Sequence, residues 1–85
     1  MAQGKRISVE IGVETLEVIK ALGAAARAAR TGRGDGQAAA AVRLGVHVQT
    51  IARIESGEPG VSIGHLLGML ALYGISVAPT PTTPD

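Results

Sequence analysis

The spacing of apolar side chains changes twice along the chain. Ile7, Val9, Ile11 and Val13 alternate with Ser8, Glu10 and Gly12, the period of a half-buried strand. Leu16, Ile19, Leu22 and Ala26 then step by three or four, which predicts a helix over about 14–30, with Gly23 as the place for a bend. The break TGRGDG precedes a second helix over 37–44, with Asp35 or Gly36 placed to cap it. Its run of alanines favours helix and lets a neighbour approach closely. Gly45 ends that helix as a residue free to take positive φ, and Val46 fills the turn before a third helix over 47–56. SGEPG breaks the chain again, because Pro59 cannot sit inside a helix. Ser62 then caps a fourth helix reaching Tyr73, Val61 and Leu66 have the spacing of a hydrophobic staple, and Ile63, Leu66, Leu67 and Leu70 form the expected buried stripe. Gly74 stops it, residues 75–78 read as a short strand, and PTPTTPD is a polar, proline-rich tail expected to be disordered. The pattern divides the chain into an N-terminal arm over 1–13, a helical domain over 14–74, and a strand with tail over 75–85.

Length and composition narrow the classes. A chain of 85 residues supports one domain with a modest core. Tyr73 is the only aromatic residue, so the interior is aliphatic, and stacking platforms for single-stranded bases are disfavoured. The absence of cysteine removes disulfides and thiolate metal sites and suits a reducing cytoplasm. Glu10 and Glu14 interrupt the N-terminal stretch where a secretory signal needs an apolar run. The expected location is cytoplasmic. Residues 61–78 carry no formal charge, but glycines and His65 make a buried helix the better reading than a membrane span. Net charge is only +1, whereas Arg27, Arg30, Arg33, Arg43 and Arg53 face the single acid Asp35 between positions 27 and 53. Such a local excess suits a phosphate-facing surface, with a solvated face as its rival.

Two short helices joined by a glycine-containing turn are the signature of a helix-turn-helix. The stretch QAAAAVRLGVHVQTIARIESGEPG resembles the helix-turn-helix of the phage repressor-like (Cro/C1, xenobiotic-response-element) family. Gln37 opens the second helix, Ala41 is small at the crossing, Gly45 makes the turn, and Leu44, Val46, Ile51 and Ile54 are the apolar contacts. The resemblance implies a mainly α fold, a lambda-repressor-like bundle of four to five helices, here with short flanking β-strands. It also implies that residues 47–56 form a recognition helix lying in the major groove of a double-stranded operator. Gln49 then matches the position that most often reads bases, suited to adenine. Arg53 is placed for a guanine or a phosphate, Val48 for a thymine methyl and Thr50 for phosphate, while His47 serves as cap and backbone contact. Gln37 and Arg43 become candidate backbone contacts. Arg30 and Glu55 match positions that form an internal ion pair in the family. Asp35, Gly36 and Ala40 depart from its usual large apolar, capping and leucine residues, leaving volume to be filled beside the second helix. The segment GEPGVSIGHLLGMLALYGISV looks like the HipB-like antitoxin branch. That likeness implies operator binding as a homodimer and, as an alternative to a repressor, neutralisation of a partner toxin.

Other chemistries have little support. Arg33, Gly34 and Asp35 spell an integrin-type tripeptide, read as chance in a cysteine-free chain without a signal. GRGDG lacks the preceding strand and the lysine of a phosphate loop. His47 and His65 have no clustered ligands for a metal. Ser62 near His65 lacks an orienting carboxylate, so neither catalysis nor a cofactor is expected. The N-terminal strand reads as a dimer element, with a frayed leader as the alternative.

Overall fold

The computed structural model describes residues 10–81, which form four α-helices. They are α1 (Val13–Gly32), α2 (Gln37–Leu44), α3 (Val48–Glu55) and α4 (Ile63–Leu72). The architecture is a helical bundle in which α2 packs on α3, α1 lies against α3, α4 lies against α2, and α1 and α4 meet each other.

The flanking strands are corrected. Residues 7–9 lie outside the described region, residues 10–12 are irregular, and Val13 already belongs to α1. Residues 75–78 are irregular too. The Ile75 N–H is drawn back to the Leu70 carbonyl at 2.8 Å, closing α4, so it is not offered to a strand. Ile75 packs on the core while Val77 remains half exposed. Their alternation therefore reflects a helix exit rather than a pleat.

α1 runs through Gly23 as continuous helix, and this glycine has another task. A Cβ there would overlap the Ile54 carbonyl oxygen and lie 3.1 Å from that of Glu55. Gly23 therefore lets the backbone of α1 rest on the last turn of α3. Ala26, one turn further along α1, is completely buried, as is Ala40 on α2, so the helices meet through their smallest side chains. Ile51 and Ile54 from α3, with Leu66, Met69, Leu70 and Tyr73 from the α4 segment, supply the bulk.

The buried stripe of α4 is thus Leu66, Met69, Leu70 and Tyr73, and the expectation for Ile63 and Leu67 is corrected. Ile63 and Leu67 are 67% and 40% exposed. In an almost wholly apolar helix several stripes satisfy the helical period, and the packing partners select one. Ser62 does cap α4, its Oγ accepting from the His65 N–H at 3.4 Å.

The space beside α2 is filled by an unusual pair. Asp35 Oδ2 accepts from the Tyr73 hydroxyl at 2.8 Å and from Arg43 Nε at 2.9 Å. Gly36 occupies the N-cap of α2 without a side-chain bond. The aromatic residue at the end of α4 therefore reaches the polar side chain that stands where a large apolar one was expected. Burial and the Asp35 bond push the Tyr73 hydroxyl above its ordinary pKa.

Candidate nucleic-acid interface

Eight residues of α3 divide sharply between two sides. Ile51 and Ile54 are buried to 0% and 1% exposure, whereas Val48, Gln49, Ala52 and Arg53 are exposed. Positions 48, 49, 52 and 53 share one helical face by the period of 3.6 residues, so this face is presented outward as a unit. Thr50 lies at its edge, half buried, with its N–H donating to the His47 carbonyl at 2.9 Å. His47 occupies the N-cap of α3, but its side chain makes no capping bond. The expectation of a histidine cap is corrected accordingly.

The turn before α3 is held by Gly45, at φ 79°. The Gly45 and Val46 N–H groups both donate to the Ala41 carbonyl, at 2.8 and 3.0 Å. This closure ends α2 and directs the chain at once into α3, so the start of α3 follows the end of α2 within three residues.

Beneath the outward face lies a buried polar corner. Arg30 Nε donates to Glu55 Oε2 at 2.5 Å and Nη2 to Oε1 at 3.0 Å, with side chains 8% and 4% exposed. The Gln37 amide adds a bond to Glu55 Oε1 at 3.0 Å, and Arg30 Nη1 donates to the Asp35 carbonyl at 2.8 Å. One carboxylate therefore ties α1, the start of α2 and the end of α3. Burial alone pushes the Glu55 carboxyl up, but the bonds from Arg30 and Gln37 outweigh it and hold the group below the ordinary carboxylate value. The same pairing raises the Arg30 pKa. Gln37 thus has an internal partner besides its position at the amino end of α2.

Two further arginines are paired at the surface. Arg43 Nε meets Asp35 with its side chain 53% exposed, and Arg53 Nε donates to Glu58 Oε1 at 2.8 Å with both side chains 49% exposed. Arg33 lies over the Tyr73 ring, 5.8 Å from its centroid. Exposed pairs of this kind contribute little to folding. Sequence reasoning missed Ala52 as a member of the outward face and Glu58 as a partner of Arg53. The i, i+5 separation of Arg53 and Glu58 crosses a helix end, where helical spacing rules no longer apply.

Among the described residues no group of three or more His, Asp or Glu is placed to hold a metal ion, and no helix is long and apolar enough to cross a membrane. A family model described as a helix-turn-helix domain matches residues 21–82, well over half of the chain. No curated protein and no solved structure matches it.

Proposed function

The chain belongs to the helix-turn-helix domain family, and from that premise we propose a sequence-specific regulator, a repressor that reads an operator with α3 in the major groove. The observation that supports this best is the division of α3. Its inner side is anchored by Ile51, Ile54 and the Glu55 corner, while Val48, Gln49, Ala52 and Arg53 project outward together. A rigid inner side lets the outer one meet base edges without itself needing to be ordered on binding. In this reading Gln49 contacts adenine, Arg53 a guanine, and Val48 a thymine methyl. Thr50, His47, Arg43 and the amino end of α2 at Gln37 meet phosphates and sugars and set the register. Arg43 reaches a phosphate by exchanging Asp35 for it.

A helix of eight residues touches few base pairs, so a second copy on an adjacent half-site, about one helical turn away, supplies the remaining selectivity. Ile63, Leu67 and Val77 are exposed at and beyond α4, and we place the contact between copies there. The same apolar face offers the alternative role, an antitoxin that covers a partner toxin and controls its own operon.

The deciding experiment is a fluorescence-anisotropy titration on DNA upstream of the gene, at two salt concentrations and against scrambled competitor, with the oligomeric state followed by sedimentation. Selective binding that weakens steeply with salt, by a dimer, supports the operator reading. Binding without selectivity overturns it. A chain that is selective but monomeric removes the dimer and shifts the apolar face to a different partner.

A further inference from the structure

The pair between Arg53 and Glu58 is positioned by the backbone more than by two long side chains finding each other. At the end of α3 the Gly57 N–H donates to the Ile54 carbonyl at 3.0 Å and the Glu58 N–H to the Arg53 carbonyl at 3.1 Å. This double closure requires a left-handed residue at its corner, which Gly57 supplies at φ 77°. A Cβ on Gly57 would also stand 2.7 Å from Lys20 Cγ and 2.8 Å from its Cα, so conformation and space both exclude a side chain there. Pro59 follows and disfavours helical backbone at Glu58. Glu58 is thereby set beside the base of the Arg53 side chain, and its carboxylate takes Nε.

Which edge of the guanidinium is taken matters. Arginine presents its donors in a planar fork. With Nε on Glu58, the terminal edge formed by Nη1 and Nη2 is the one left for a groove acceptor. Gly60 lies next to that edge, a Cβ there standing in ordinary contact 3.8 Å from an Nη. We propose that Glu58 is a specificity-determining positioning residue, aiming the terminal edge of Arg53 at a base and withholding its charge from phosphates. The inference rests on the reading of Arg53 as a groove contact. Selectivity is a difference between affinities, and a carboxylate beside the contact penalises every docking in which Arg53 meets only backbone. With both partners half exposed, the pair contributes little to folding, so the role is separable from stability.

The test compares the wild-type chain, Glu58→Gln, Arg53→Ala and the double variant. The probes are a duplex that the wild type selects from a random pool and a scrambled duplex of the same composition. Glu58→Gln is expected to melt with the wild type and to bind the scrambled duplex about fivefold tighter at ~0.15 M salt, the gain from one more released counterion, with the salt slope steeper by about 0.9. The selected duplex is expected to gain nothing, and in the Arg53→Ala background the substitution is expected to leave the selectivity ratio unchanged. Equal tightening on both duplexes, no tightening on either, or the same fall in the ratio without Arg53 overturns the positioning role. A wild type that selects no sequence at all overturns the DNA reading beneath it, so the two failures are distinguishable.

Discussion

The last turn of α3 faces two arginine–glutamate pairs of opposite character. Arg30 and Glu55 are almost completely enclosed and joined by two hydrogen bonds, whereas Arg53 and Glu58 share one bond in half-exposed surroundings. Enclosure makes the first pair costly to break, because either partner left alone is a charge out of water. Solvent makes the second contribute little to folding. The difference separates a group that sets the angle of the helix from one available to a ligand.

Arg30→Ala tests the enclosed side most severely. It leaves Glu55 buried with only the Gln37 amide, and a loss of about 3–5 kcal/mol is expected in urea unfolding; an unchanged midpoint would mean that the pair contributes nothing. The depressed carboxyl of Glu55 adds a pH signature. A group whose pKa is lower in the folded chain stabilises above its unfolded pKa and loses that contribution as pH falls through the folded one. Acid unfolding below about pH 4 should therefore be shallower in Glu55→Gln.

Gly23→Ala attacks the same junction through the backbone. The added methyl cannot be accommodated unless α1 moves off the Ile54 and Glu55 carbonyls, so a loss of about 1–3 kcal/mol is expected from overpacking. Melting at the wild-type temperature would show that the helices separate without strain.

On the exposed side the effects should appear in binding. Gln49→Ala or Arg53→Ala is expected to cost about 1–3 kcal/mol on a selected duplex and to relax one base position, with thermal stability preserved. Equal loss on every duplex would reassign the residue to phosphate contact. The smallest effect concerns the corner between α2 and α4. Tyr73→Phe leaves Asp35 without its hydroxyl donor and should cost about 1 kcal/mol. Because burial and Asp35 raise the Tyr73 pKa above its ordinary 10.0, the wild type gains stability from this group below that value and loses it as pH rises through the folded pKa. The phenylalanine variant should lack that alkaline limb, which a urea series above pH 10 measures.

Much of this arrangement was legible beforehand. The glycine breaks, the helix periods and the turn at Gly45 located the helices within a residue or two, and the helix-turn-helix assignment agrees with the family match over residues 21–82. The C-terminal strand was misread. An alternating run such as Ile75 to Ala78 obeys the strand period, yet the backbone donor at Ile75 is consumed by the helix before it. Gly23 was read as the place for a bend when its task is contact. A glycine within a periodic helix has the same local signal in either case, and only the neighbour reveals which applies.

Local physics therefore determined what the sequence alone could: where helices start and stop, that α3 has an apolar and a polar side, and that the interior is aliphatic. Propensity, capping and left-handed glycine turns act over a few residues and leave their mark in order along the chain. Tertiary structure decided which stripe of α4 is buried, that Tyr73 meets Asp35 across 38 positions, and that Gly23 carries the last turn of α3. Those pairings depend on how rigid helices lie against one another, a property of surfaces meeting in space that no short window of residues contains.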